Sequence, residues 1–236
     1  MIRIPGLILI WVIHMVLREY EKAIPEYEKA LELFDSWDMK PWPPNYAQLG
    51  YSYHQTAQYK KEIKLYRKAE KDFPDHYLLL MRQAVLALTM GESNKAKRYI
   101  EKYVSVRKDK NVSEADMASE LAEMYSGAGI SNKAEEYYRQ AFLLDPENPV
   151  RMNNLAFFII DKERNIAEGL ELIEKALTLS PDNYLYLDTR GWGLYKQGKL
   201  MEALELLEKS WELKHLYDHG LYLHLEAAKK AVAGEK

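Results

Sequence analysis

Small and apolar residues recur along this chain on one spacing rule. Ala122 is followed 12 residues on by Ala134, 19 on by Ala141 and 24 on by Pro146. Gly50 leads to Glu62, Ala69 and Pro74 at the same offsets, Ala84 to Ala96, Tyr103 and Lys108, and Gly191 to Ala203, Ser210 and His215. Ala156 leads to Gly169, Ala176 and Pro181 at 13, 20 and 25, which places one extra residue in the turn near 163–165. Such a pattern predicts pairs of antiparallel helices that cross closely. A small residue midway along the first helix lets the second approach. Large side chains such as Tyr53, Tyr66, Tyr125, Tyr138 and Leu207 then fill the space between them. Proline stops the second helix, because it lacks an N–H and disfavours a helical predecessor. Gly91, Gly129 and Gly198 fall in the turns, where positive φ carries little penalty for glycine.

This combination resembles the tetratricopeptide repeat (TPR), a helix–turn–helix repeat of about 34 residues. The resemblance implies an all-α fold, a right-handed α-α superhelix of about six units. They span 4–37, 43–76, 77–110, 115–148, 149–183 and 184–217, with residues 38–42 and 111–114 as short insertions. The unit from Tyr77 departs from the pattern, with Tyr103 and Lys108 where a small residue and proline are usual. The first unit keeps Ala23 and Ala30 but carries Trp11 in the small position. The units around 149–218 look most like those of bacterial TPR proteins.

Repeat arrays need closed ends, because each unit buries its apolar face only against neighbours. Residues 218–233 carry Leu221, Leu225, Ala228 and Val232 at helical spacing, with Glu226, Lys229 and Lys230 opposite, as expected of a capping helix. At the other end residues 7–17 (LILIWVIHMVL) are apolar except for His14. Eleven residues are too few to span a bilayer as a helix. One preceding arginine and no small-residue cleavage site make a poor signal peptide. The expectation is a packed first helix and no transmembrane segment, with its apolar surface as the route to a homo-oligomer.

Composition adds little that the period does not. The 236 residues contain no cysteine, which excludes disulfides, thiolate metal sites and a cysteine nucleophile. Cytoplasmic and periplasmic locations both stay open. Net charge is −3, yet residues 1–110 carry 19 basic and 14 acidic groups and residues 111–236 carry 14 and 22. The basic excess includes Lys95, Lys97, Arg98, Lys102, Arg107, Lys108 and Lys110, read as a solvated face, with no nucleic-acid partner expected.

The chain has no phosphate-binding loop, dinucleotide fingerprint, H-E-x-x-H or nucleophile elbow. Ser105–Lys108 makes one chance S-x-x-K match. His215, His219 and His224 cluster near the last loop, but Gly220 and the repeat boundary are expected to break the helix there. No catalytic residue, metal or cofactor is assigned, and no enzyme activity is expected.

A TPR array, as the resemblance implies, lines its concave face with the first helix of each unit. Positions counted from the small residue place Tyr51, His54, Met81, Val85, Glu123, Asn153, Phe157, Asp161, Asp188, Trp192 and Tyr195 on that face. Lys, Arg and Asn are too few there for the clamp that holds acidic C-termini of chaperones. Aromatic and aliphatic residues suit an extended or helical peptide with apolar anchors, carrying a positive charge near Asp161 or Asp188. Tyr51, Phe157, Trp192 and Tyr195 are the favoured anchors. Of the 18 tyrosines, Tyr51 and Tyr195, with Trp192, are those that packing between helices explains least. The sequence thus points to a non-enzymatic scaffold for a protein or peptide partner. Its alternatives are self-association through the N-terminal helix, or an accessory module of a larger secretion or enzyme complex.

Overall fold

Helix follows helix through all the residues described, 17–234, of the computed structural model. Twelve helices and no strand occur among them: α1 Tyr20–Ser36, α2 Pro43–Gln55, α3 Tyr59–Asp72, α4 Tyr77–Thr89, α5 Ser93–Lys108, α6 Glu114–Gly127, α7 Ser131–Leu144, α8 Pro149–Asp161, α9 Ile166–Leu179, α10 Tyr184–Lys196, α11 Leu200–Leu213 and α12 His219–Ala233. The expected apolar helix at 7–17, with Trp11, lies outside the described residues except for Leu17. The chain falls into two compact units, residues 17–112 with 127–129, and 113–126 with 130–234.

Helix starts follow local chemistry. Proline opens α2 and α8, where its missing N–H has no intrahelical partner to lose. In the second unit Asn148, Asn165, Asn183 and Asp218 each accept a backbone N–H from the first turn of the helix they precede. Each such cap contributes about 1 kcal/mol. The residues preceding α1 to α5 make no such side-chain bond. Gly91, Gly129 and Gly198 turn the chain at φ of +69°, +75° and +78°. Ala57 occupies the equivalent turn position between α2 and α3 and adopts φ of +54° without being glycine.

The first unit packs α1 to α4 around Ala23, Tyr27, Tyr46, Leu49, Tyr53, Tyr66 and Leu79. The small-residue rule has its physical basis at Gly50: a Cβ there would sit 2.2 Å from the Tyr66 hydroxyl. Gly191 does the same in the second unit, where a Cβ would lie 2.8 Å from Leu207 Cγ. The second unit is built on Leu155, Ile159, Ile173, Ala176, Tyr186 and Leu187, with Tyr125 and Tyr138 packed at its edge.

Leu207 joins Leu221, Leu225 and Ala228 in closing α12 onto α11. Two details of the sequence reading change here. Val232 is 36% exposed, past the edge of the face that α12 buries. Gly220 does not break the last helix; it lies in the first turn of α12, with its N–H and that of Leu221 held by Asp218.

Candidate functional site

The positions picked from the repeat do not share one environment. In the first unit, Tyr51 sits edge-on to Tyr20 (5.6 Å, 86°), with the Arg82 guanidinium 4.3 Å above its ring. His54 turns inward. Its Nδ1 lies 3.1 Å from Glu62 Oε2 and its Nε2 3.4 Å from Thr89 Oγ1. Glu62 is 1% exposed, and burial raises its carboxyl above the ordinary value against the opposing pull of His54. Met81 is half-buried, whereas Val85 belongs to the core at 6% exposure and offers no open anchor.

In the second unit Glu123 is exposed on α6. Further along, α8, α10 and α12 bring most of the remaining positions together. The Trp192 ring is stacked on Tyr195 at 4.8 Å and 5°, and on His224 at 4.2 Å and 13°. Phe157 lies 6.1 Å from the His224 ring and is 37% exposed. Lys196 Nζ sits 5.0 Å from the Trp192 ring and is paired with Glu163. The buried indole N–H of Trp192 has no acceptor among the described residues.

His224 Nδ1 reaches Asp188 Oδ1 at 2.8 Å. Asp188 is 8% exposed, and burial pushes its carboxyl above the ordinary value, opposed by His224. Asp188 is therefore committed inside the protein, while Asp161 pairs with Lys162 and the exposed Glu163 with Lys196.

Several face residues are spent on holding one repeat to the next. Thr189 donates to Asn153 Oδ1 at 2.8 Å across 36 residues, the same separation as Asp188 and His224. Arg151 on α8 reaches Asp116 and Ser119 on α6. His54 and Thr89 are 35 apart. Helices one repeat apart thus hydrogen-bond through positions that are largely buried between them.

Sequence reasoning gave His224 no part in this cluster, noting it only with His215 and His219. The usable signal was the period itself, since His224 follows Asp188 by one repeat. Of the other two, His219 meets the Tyr217 hydroxyl at 2.9 Å, so the histidines do not converge. Among the described residues no group of three or more His, Asp or Glu is arranged to hold a metal.

Residues 43–71 and 115–148 match the tetratricopeptide repeat family model. A TPR repeat-containing protein of Pseudomonas aeruginosa is 35% identical over 91 residues, which are 39% of this chain and 15% of that protein. A TPR repeat-containing protein of Methanocaldococcus jannaschii is 34% identical over 91 residues, 39% of this chain and 16% of its own length. The match thus spans about one sixth of each relative. Yeast Tom70 resembles the fold over 90% of this chain and 43% of its own, with a TM-score of 0.54 at 18% identity. That likeness concerns the fold, an all-α repeat array.

Proposed function

We propose that this chain, a tetratricopeptide repeat protein, is a non-enzymatic scaffold that binds a segment of another protein. The binding face is the part of the second unit lined by α8, α10 and α12. The observation that supports this reading is the ring cluster of Phe157, Trp192, Tyr195 and His224, with Phe157 37% exposed at its rim. Aromatic side chains offer large apolar area at little entropic cost, and they dominate binding energies where they cluster.

The chemistry of the face describes its partner. Phe157 supplies apolar area, and the indole N–H of Trp192 lacks an acceptor that a peptide carbonyl would provide after a small shift of the rings. Acidic Asp161 and Glu163 stand nearby on the surface, paired with Lys162 and Lys196, and a partner's cation would compete with those lysines for them, while Asn153 is engaged by Thr189. A partner with an apolar anchor and a neighbouring Lys or Arg fits these groups; an acidic C-terminus does not.

A random-peptide display selection on the full chain tests this. The recovered peptides should share an apolar anchor beside a basic residue, and should be lost on the Phe157→Ala and Trp192→Ala proteins. Peptides retained equally by helical, folded variants would overturn the assignment.

A further inference from the structure

Two helices that each come second in their hairpin, α3 and α11, carry charged rows on their solvent sides. On α3, Lys60, Lys64, Arg67 and Lys71 follow one another at steps of four, three and four residues, the spacing of a single helix side. All four are exposed, and no described acidic residue forms an ion pair with any of them. Their neighbours Lys61 and Lys68 do pair, with Glu28 at 3.0 Å and Asp35 at 2.8 Å on α1. Like charges one turn apart repel and weaken a helix. The row therefore breaks a local rule, eased among the described residues only where Glu28 and Glu32 of α1 line a groove with Lys64.

The α11 helix breaks the same rule with the opposite sign. Counted from Ala203, as Lys64, Arg67 and Lys71 are counted from Glu62, the equivalent positions hold Glu205, Glu208 and Glu212. These are exposed and likewise without a described ion-pair partner, because Lys209 beside them turns to Asp182 at 3.0 Å. Two complementary rows, three charges each and on the same spacing, thus stand on helices of equivalent repeat position.

We propose that α3 of one copy docks side by side on α11 of a second copy, with Lys64, Arg67 and Lys71 facing Glu205, Glu208 and Glu212. Either relative helix direction sets Arg67 against Glu208 with a pair on each side. Arginine in the middle suits this, because its planar fork grips a carboxylate with two hydrogen bonds. Charge balance selects a second copy over a polyanion. The residues from 111 onward carry 22 acidic against 14 basic groups and would repel one. Each half of this contact is unlike the other, so the interface is heterologous.

Sedimentation of the full chain decides it. At about 50 mM salt the wild type should sediment above monomer mass. It should fall towards monomer near 500 mM, where screening shortens the reach of charges to a few Å. Lys64→Glu/Arg67→Glu/Lys71→Glu and Glu205→Lys/Glu208→Lys/Glu212→Lys should each be monomeric at low salt with unchanged helicity. Mixed together they should associate again, since each then offers what the other lacks. Three results overturn the proposal: a wild type monomeric at low salt, association that persists in either variant or at high salt, and a folded mixture that stays monomeric. A monomeric wild type that binds poly(U) through the α3 row would assign that row to a polyanion instead.

Discussion

His224 of α12 lies flat on Trp192 of α10, ring centroids 4.2 Å apart and planes 13° from parallel, while its Nδ1 holds Asp188. One side chain from the last helix thereby covers an aromatic of the preceding hairpin and partners its buried carboxyl. His224→Ala removes both contacts and leaves a buried acid without its partner. The expected loss at neutral pH is about 1–3 kcal/mol. Asp188 has a carboxyl raised by burial, so the folded state holds its proton more tightly than the unfolded chain. That contribution is complete below the ordinary carboxyl value and is lost as pH rises through the raised one. Removing His224 removes the opposing pull. The variant should therefore recover stability on acidification from pH 7 towards 4.5 more than the wild type does. Urea unfolding across that range measures it.

Gly50 and Tyr66 make a sharper contrast. A methyl at position 50 would collide with the Tyr66 hydroxyl, which is itself buried without a hydrogen-bond partner. Gly50→Ala should destabilise the first unit by about 1–3 kcal/mol, the usual range for overpacking. Tyr66→Phe removes the orphan oxygen and should be neutral or stabilising. In the double variant most of the alanine penalty should remain, because the ring carbons Cζ and Cε1 of residue 66, which a methyl at position 50 also meets, survive the change to phenylalanine. A double-mutant cycle in thermal unfolding shows whether the two are coupled.

Ala57 offers a gain. It adopts φ of +54° at the turn position where Gly91, Gly129 and Gly198 sit in other hairpins. A Cβ in that conformation costs about 1–2 kcal/mol, and the added freedom of glycine in the unfolded chain returns part of it. Ala57→Gly should raise stability by up to about 1 kcal/mol, visible as a higher midpoint of unfolding of the first unit. No change in midpoint would show that the turn carries no such strain.

The helices were legible because their signals are local and repeated. Small residues, prolines and turn glycines fall at fixed offsets, and contacts such as Gly50 on Tyr66 require that spacing. The face was legible only in part. Counting from the small residue gives direction from the helix axis, but not whether a neighbour already fills the space. Thus Val85 is core, Asp188 is held by His224, and Asn153 by Thr189. Each partner lies about one repeat away, and a rule confined to one helix does not reach it. His224 escaped because Gly220 suggested a break, whereas Asp218 starts the helix one residue earlier through its carboxylate.

The central claim is that the ring cluster of the second unit is where a protein segment binds. Its most direct test is the dissociation constant of one display-selected peptide for three full-length proteins: wild type, Trp192→Ala, and Lys95→Ala as an exposed control on α5. Hot-spot aromatics lost on truncation weaken binding by 2 kcal/mol or more, about thirtyfold. The account predicts that loss for Trp192→Ala with helicity retained, and no change for Lys95→Ala. Equal affinity for all three proteins would contradict it.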